Sequence, residues 1–271
     1  MPKAAVIQDI SGLGRCSLGA ALPVLAALGV HACPVPAAVL TCQTGFPHYT
    51  QFDCAPLLRE CATIWKELGV RLDGVCTGFL GSPGQLAAAQ AFLEAFPTPL
   101  LLVDPVLGDD GIVYPCFDEN FCGAMRSLVQ KASVLTPNVT ELCLLTGGDY
   151  QALLGRSEPE QLEALERMCE TLPSKLTVVT GWRCGGQIGN VIYNGSGLRV
   201  YQSPALGGSY SGTGDLFAAS LFGYLLRGDP PETALPKVIA FLELCLRDAH
   251  AQGLPPEEGV PFELHLKEMK E

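Results

Sequence analysis

The chain has 271 residues, of which 48% are hydrophobic and 17% are charged, and its formal net charge is −11 at pH 7. This composition is typical of a globular protein with a large core and excludes a disordered chain. The negative charge argues against a nucleic-acid partner or an anionic membrane surface, although backbone N–H groups can still bind a phosphate. No uncharged apolar run reaches membrane-spanning length, and the apolar stretch after Lys3 is too short for a signal peptide. We therefore expect a cytoplasmic protein without a membrane segment.

Short apolar runs alternate with amphipathic helical patterns along the chain. The predicted strands, in chain order, are 4–7, 35–40, 74–79, 100–103, 134–135, 176–180, 188–193 and 198–202. The predicted helices are 17–28, 57–68, 83–96, 119–131, one that begins after Pro137, one that ends near Thr171, 213–226 and 233–249. Ser82 is a predicted helix cap, and Ser157 with Glu160 forms a predicted capping box.

This alternation predicts one α/β domain over residues 1–271, in which a mostly parallel sheet lies between layers of helices. The strands 188–193 and 198–202, joined by an Asn-Gly-Ser-Gly turn, predict an antiparallel hairpin. In such folds ligands bind beyond the carboxyl ends of the strands, so we expect the polar residues that follow the strands to meet at one edge.

The twelve cysteines do not predict disulfide bonds or a structural zinc site. They are scattered, they form no C-x-x-C pair, and most stand in apolar runs, as Cys76 and Cys245 do. The four histidines do not lie at zinc-site spacing from them. We expect the cysteines to pack as small apolar residues in a reducing compartment.

Two groups of polar residues predict a metal site, and a turn-rich segment beside them predicts a mobile flap. Asp104 ends a buried strand and is followed across a turn by Asp109, while Asn138 and Glu141 stand one helical turn apart at a helix start. Carboxylates in these positions predict a Mg²⁺ site of the kind that nucleotide phosphates require. The alternative is a pair of turn aspartates and a capping box of Asn138 with Glu141, and both roles can coexist. The turn-rich segment 108–114 predicts a mobile flap over a substrate.

The most informative motif is Gly212-Thr213-Gly214-Asp215, followed by an apolar helical face. The glycines stand where a loop becomes a helix N-terminus, and its unpartnered N–H groups and positive dipole end suit a phosphate. An aspartate at the same place can act as a general base, so the motif indicates phosphoryl transfer. The alternative is that Thr213 or Asp215 only caps the helix.

Together these motifs resemble the ribokinase-like superfamily and, within it, the pyridoxal/pyridoxamine (vitamin B6) kinases. The resemblance covers residues 6–249. It rests on the 212–219 signature, the DPVLGD sequence at 104–109, Thr136-Pro137-Asn138 with Glu141, and Thr44-Gly45 after the second strand.

The resemblance implies a three-layer α/β/α fold and ATP-dependent phosphorylation of a hydroxymethyl group on a pyridine ring. It implies ATP as co-substrate, Mg²⁺ and a monovalent cation as candidate cofactors, and a homodimer. The roles that it implies are Asp215 as base; Gly212, Thr213 and Gly214 as anion hole; Asp104 and Glu141 at Mg²⁺; Asp109 and Asn138 at the phosphates; Thr180 and Gly181 at the nucleotide; and Asp9, Gln43, Thr44 and Phe79 at the vitamer.

Three positions in the predicted vitamer pocket depart from the B6 kinase pattern. Asp9-Ile10 stands where those kinases carry serine-histidine, Gln43 replaces a histidine and Phe79 replaces a tyrosine. The run from Asp9 to Gly12 is similar to the hydroxymethylpyrimidine kinases of thiamin biosynthesis, which are therefore the alternative. A non-catalytic nucleotide- or vitamin-binding protein is a third hypothesis, and the intact Asp215 between the glycines and the helix argues against it.

Overall fold

The computed structural model describes residues 1–205 and 208–270. The strands are β1 Lys3–Ser11, β2 His31–Leu40, β3 Gln51–Asp53, β4 Gly74–Thr77, β5 Leu100–Val103, β6 Gly108–Asp109, β7 Ile112–Val113, β8 Val134–Leu135, β9 Leu176–Cys184, β10 Gln187–Tyr193 and β11 Leu198–Pro204. The α-helices are α1 Ser17–Ala27, α2 Ala55–Glu67, α3 Pro83–Ala95, α4 Glu119–Val129, α5 Val139–Thr146, α6 Tyr150–Leu154, α7 Glu158–Glu170, α8 Thr213–Leu226 and α9 Pro231–Gln252. Two 3-10 helices, Pro256–Glu258 and Phe262–Lys270, follow.

Nine of these strands form one sheet in the order β11-β10-β9-β8-β5-β4-β1-β2-β3. The strands from β9 to β2 in this order run parallel, which confirms the predicted parallel centre. The predicted hairpin, β10 with β11, lies at one edge, where β10 is antiparallel to both of its neighbours. The short antiparallel strand β3 forms the other edge and was not predicted.

Helices cover both faces of the sheet and give the predicted three layers. In β1, Ala4 and Val6 face a core built with α1, α8 and α9, whereas Ala5 and Ile7 face a core built with α2, α3 and α4. A strand that is buried on both faces needs a continuous apolar run, which is what β1 has. A third core surrounds Trp182, below α5 and α7. Within residues 1–205 and 208–270, no helix combines the length and apolar character that crossing a membrane would require.

Strands β1, β2 and β9 extend beyond their predicted bounds of 4–7, 35–40 and 176–180, and β4 ends two residues before its predicted end at Phe79. The other differences concern short segments. Helix α6 has five residues, and the strands β3, β6 and β7 have three or fewer each. Elements this short contain too few residues for a periodic apolar pattern. The segment 108–114, predicted to be a flap, contains the β6–β7 hairpin. Asp110 and Gly111 form the turn of this hairpin, with φ angles of 49° and 79°.

Candidate active site

A cleft of about 970 Å³ opens beyond the carboxyl ends of the parallel strands. Its size suits a nucleotide with a small second molecule. The cleft brings together all of the predicted site residues, namely Asp9, Gln43, Thr44, Phe79, Asp104, Asp109, Asn138, Glu141, Thr180, Gly181, Gly212, Thr213, Gly214 and Asp215. The parallel topology causes this convergence, because strands that run in one direction bring the loops after them to one edge.

The loop that leads into α8 depends on Gly212. This residue has a φ of 79°, and a Cβ there would lie 2.0 Å from the backbone oxygen of Arg15. Only glycine therefore allows the two loops to approach this closely. The Thr213 hydroxyl donates to the backbone oxygen of Tyr210 at 2.9 Å, so the donors for an anion at this end are the backbone N–H groups of the first turn.

We expect Gly212→Ala to destabilise the protein strongly for two reasons. The new methyl group would clash with the backbone of Arg15, which cannot move aside as a side chain can, and the left-handed φ at this position is unfavourable for alanine. The free energy of unfolding should fall by about 2–4 kcal/mol. Gly214→Ala is the matched control for stability, since a Cβ at Gly214 meets nothing within 4 Å. Urea titrations of both variants measure the difference, and equal midpoints would contradict the prediction.

Asp215 lies in the first turn of α8, partly exposed to the cleft. Its Oδ2 accepts a hydrogen bond from the backbone N–H of Ser17 at 2.8 Å. Burial, together with the charges of Asp104 and Asp9, raises the pKa of this carboxyl to about 8, although the Ser17 hydrogen bond acts to lower it. A carboxyl with a pKa near the operating pH is suited to accept a proton.

Asp9 lies in β1 and is 2% exposed. Its two oxygens accept hydrogen bonds from the hydroxyls of Ser17, at 2.5 Å, and Ser11, at 2.8 Å. Burial raises the pKa of Asp9, while both serine hydrogen bonds lower it. The predicted vitamer contact is thus also the anchor for two serines of the cleft.

Asp104 and Glu141 are buried carboxyls on neighbouring elements. The Asp104 Oδ1 accepts from the Thr136 hydroxyl at 2.9 Å, and burial raises the pKa of Asp104 to about 7. The oxygens of Glu141 accept from the backbone N–H groups of Asn138, at 2.8 Å, and Leu107, at 3.1 Å. Burial raises the pKa of Glu141 well above its ordinary value, and the charge of Asp104 adds to this.

These two carboxyls fit a magnesium ion by their chemistry. Hard oxygen ligands suit Mg²⁺, and buried carboxylates need a positive partner that no side chain described here provides for them. No group of three His, Cys, Asp or Glu side chains within 1–205 and 208–270 could hold the ion alone. Such an ion would therefore take its other ligands from phosphate oxygens and water.

Asn138 forms the predicted capping box with Glu141 at the start of α5. Its Oδ1 accepts from the Glu141 N–H at 2.9 Å, and its Nδ2 donates to the Gly108 oxygen at 2.8 Å. The amide therefore joins α5 to the β6–β7 hairpin. The Gly111 N–H, which donates to the Thr140 hydroxyl at 2.8 Å, is a second link between the same elements.

The predicted vitamer residues differ in what they present to the cleft. Gln43 uses its amide within the protein, since Oε1 accepts from the Gly45 N–H at 2.6 Å and Nε2 donates to the Glu257 oxygen at 3.0 Å. Thr44 is exposed at the rim. Phe79 presents its ring beside Phe117, with centroids 5.9 Å apart. The two rings are tilted by 43°, and of the two only Phe79 lines the cleft, where an aromatic face can contact a ring-shaped substrate.

Sequence reasoning missed two parts of this cleft. Ser17 bonds both Asp9 and Asp215, but a serine that starts a helix carries no distinguishing pattern. The C-terminal 3-10 helix Pro256–Glu258 accepts backbone or side-chain hydrogen bonds from Arg15, Gln43 and Ser211. Its Pro-Pro-Glu-Glu-Gly neighbourhood indicates a turn, and only the tertiary structure brings it beside the other loops.

The family model for phosphomethylpyrimidine kinases matches residues 17–258. The chain belongs to this family. The pyridoxine/pyridoxal/pyridoxamine kinase of Bordetella avium is 31% identical over 246 residues, which cover 84% of this chain and 79% of that protein. Coverage varies among relatives, since a match to a Schizosaccharomyces pombe protein, 26% identical, spans 58% of this chain and 47% of that one.

Two solved structures of family relatives are similar along nearly the whole chain. One is a "putative phosphomethylpyrimidine kinase" from Bacteroides thetaiotaomicron in a crystal form with pyridoxal, which has a TM-score of 0.90 and 33% identity and covers 100% of this chain and 96% of that chain. The other is the pyridoxal kinase from Lactobacillus plantarum, with a TM-score of 0.88, 31% identity and coverage of 99% and 96%. The fold of this kinase family member is therefore ribokinase-like, as the motifs predicted.

Proposed function

We propose that the protein is an ATP-dependent kinase that phosphorylates the 5′-hydroxymethyl group of a vitamin B6 vitamer, namely pyridoxamine, pyridoxal or pyridoxine. The observation that carries the proposal is the Asp215 carboxyl at the N-terminus of α8, held by the Ser17 N–H beside the glycine loop and facing the cleft. The B6 kinase names of the Bordetella and Lactobacillus relatives support the choice of substrate.

In the proposed reaction, Asp215 takes the proton of the hydroxymethyl group. The substrate oxygen then bonds to the γ-phosphorus of ATP while the bond between that phosphorus and the β–γ bridging oxygen breaks, and ADP leaves. The N–H groups of Gly212, Thr213 and Gly214 bind the oxygens of the moving phosphoryl group. Positioning and charge neutralisation of this kind are the main requirements of phosphoryl transfer.

The nucleotide end of the proposed site lies between the β6–β7 hairpin and the middle of β9, which runs on to Cys184 instead of ending at Thr180 as predicted. Asp109 and Asn138 would face the phosphates, and Thr180 with Gly181 would contact the nucleotide. Asp104 and Glu141 would hold Mg²⁺, which neutralises phosphate charge when it is bound. Because both Glu141 oxygens already accept backbone N–H groups, we expect Glu141 to bind through a water molecule and Asp104 to bind more directly.

The second candidate is a hydroxymethylpyrimidine kinase of the same fold and chemistry. The carboxyl of Asp9, in place of a serine, and the family description of the matching model favour it. An ATP-consumption assay with Mg²⁺ decides between the two, with pyridoxal, pyridoxamine, pyridoxine and hydroxymethylpyrimidine tested in parallel. We expect turnover with a pyridine vitamer. Turnover with the pyrimidine alone would establish the second candidate, and turnover with none would refute both.

We expect the 108–114 segment to close over the substrates. Asp109, Asp110 and Tyr114 line the cleft, so a closed hairpin would exclude water from the phosphoryl group. Backbone amides of 108–114 should exchange hydrogen more slowly when a non-hydrolysable ATP analogue and pyridoxal are both present. Amides of α7, which lies away from the cleft, serve as the internal control. Unchanged exchange in 108–114 would contradict the flap.

We also propose a homodimer that uses the solvent face of α2. Leu57, Ile64 and Leu68 follow one another at helical spacing and are 50%, 47% and 73% exposed, and Phe52 of the edge strand β3 is 72% exposed. A second copy offers the same patch, so a two-fold contact would bury both at once. Light scattering should give a dimer for the wild type and a monomer for Ile64→Glu, with Thr63→Glu as control. A monomeric wild type would refute the dimer.

A further inference from the structure

Ser17 lies between two carboxyls of the cleft and bonds both. Its backbone N–H donates to Asp215 Oδ2 at 2.8 Å, and its hydroxyl donates to Asp9 Oδ1 at 2.5 Å. Asp9 belongs to the central strand β1, and the Ser11 hydroxyl binds its second oxygen at 2.8 Å. A continuous series of hydrogen bonds therefore runs from β1, which is paired with a strand on each side, to Asp215.

The backbone of Ser17 is strained. Its φ is 51°, and among the described residues only Asp110 is another non-glycine residue with a positive φ. A left-handed residue with a Cβ costs roughly 1–2 kcal/mol, a cost that glycine avoids. Apart from Asp110 in the β6–β7 turn, the described residues with a positive φ are glycines, whereas Ser17 has a hydroxyl that reaches Asp9. The strain is thus coupled to a contact that only the side chain can make.

The direction of the Ser17 N–H depends on this strained conformation, because rotation of the backbone to a right-handed φ would turn the amide. Within residues 1–205 and 208–270, this N–H is the one donor that forms a hydrogen bond with the Asp215 carboxyl. It occupies Oδ2 and leaves Oδ1 to meet a substrate hydroxyl. A carboxylate that can rotate freely would present its lone pairs to the hydroxyl only part of the time.

We propose that Ser17 is a positioning residue for phosphoryl transfer, in which Asp9 holds Ser17 left-handed through its hydroxyl and the Ser17 N–H orients the Asp215 carboxylate. This inference rests on the proposed kinase function. It assigns Asp9 a role in holding the base, in addition to its place in the wall of the substrate pocket.

Two variants of Ser17 test the proposal. Ser17→Ala keeps the Cβ that disfavours the left-handed conformation but loses the hydroxyl that bonds Asp9. The backbone should therefore relax to a right-handed φ, and the N–H should turn away from Asp215. We expect kcat to fall by about 10- to 100-fold, the loss of one hydrogen bond to a charged group. The KM for ATP should stay within about twofold of wild type, because the substitution removes no contact that binds ATP equally in the ground state and the transition state. Ser17→Gly should lose less, because glycine adopts the left-handed conformation without strain.

Two measurements separate positioning from a structural role. The acidic limb of the kcat–pH profile should move to higher pH in Ser17→Ala, since loss of the N–H raises the pKa of Asp215. The pKa of the Asp215 carboxyl, measured by ¹³C NMR without substrates, should rise in the same order, Ala above Gly above wild type. Ser127→Ala, an exposed serine on α4, is the control for both.

The outcomes distinguish this inference from the proposed function. A folded Ser17→Ala variant with wild-type kcat and an unchanged Asp215 pKa would overturn the role of Ser17 and leave the kinase assignment intact. A wild type without turnover on any of the four substrates would overturn the kinase assignment. In that case the NMR titration still decides whether Ser17 controls Asp215, because it needs no substrate.

Discussion

We expect Asp215→Asn to lower kcat by about 10²- to 10⁴-fold, because the asparagine cannot accept the proton of the attacking hydroxyl. The amide oxygen can still accept the Ser17 N–H, so the fold and the substrate affinity should persist. Steady-state kinetics measures kcat, and calorimetry measures vitamer binding. A purely binding protein would be indifferent to the change. Turnover within about threefold of wild type would therefore refute general-base catalysis by Asp215.

Asp118→Asn is a matched control for this substitution. Asp118 caps α4 by accepting the Phe121 N–H, and asparagine caps helices equally well, so kcat should not change.

The pH dependence of the wild type gives an independent check on the same base. Since burial raises the pKa of Asp215 to about 8, the fraction of carboxyl that is ionised and able to accept a proton decreases as the pH falls through that value. We expect kcat/KM to fall as the pH is lowered through about 8, and a profile flat down to pH 5 would contradict this.

We expect Asp104→Asn to stabilise the metal-free protein and to lower its activity. Burial raises the folded-state pKa of Asp104 to about 7, so the folded protein holds a proton that the unfolded chain has released above the ordinary pKa. The free energy of unfolding therefore decreases as the pH rises from about 4 to about 7, and above pH 7 the full destabilisation by the buried charge is present. Removing this charge should increase the free energy of unfolding by about 2 kcal/mol at pH 8, which corresponds to a rise in Tm of about 5 °C.

The loss of activity in Asp104→Asn follows from its proposed place at the magnesium ion. We expect kcat/KM to fall at least about tenfold and the Mg²⁺ concentration for half-maximal activity to rise. Thermal scans with and without Mg²⁺ supply the decisive comparison. The ion should raise the Tm of the wild type more than that of the variant, because it binds the charged carboxylate. A variant with wild-type Mg²⁺ dependence would remove Asp104 from the metal site.

The central part of the fold could be predicted from the sequence. The strands at 100–103 and 134–135 and the helix 213–226 have the bounds that the apolar pattern indicates. Burial on both faces requires continuous apolar runs in strands such as β1, and turn residues interrupt them at the ends. The short elements β3, β6, β7 and α6 carry too few residues for a period to appear.

The sequence predicted which residues line the candidate site, but it did not predict which atoms those residues contact. The rule that ligands bind beyond parallel strands placed Asp9, Asp104 and Asn138 at one edge, where the cleft contains them together with the Gly212–Asp215 motif. The capping box of Asn138 with Glu141 was predicted as an alternative, and it is present. The roles of these residues toward ATP, Mg²⁺ and a vitamer remain predictions for the experiments above.

The sequence by itself determined the order of the longer strands and helices, the family and most of the chemical groups that meet in the cleft, because apolar periodicity and short motifs are local properties of the chain. Only the tertiary structure decided which atoms those groups bind. Ser17 is 198 residues from Asp215, and Gln43 is 214 residues from Glu257, yet each pair is hydrogen-bonded. Contacts of that separation depend on how loops from different strands pack against one another, and no local pattern encodes them.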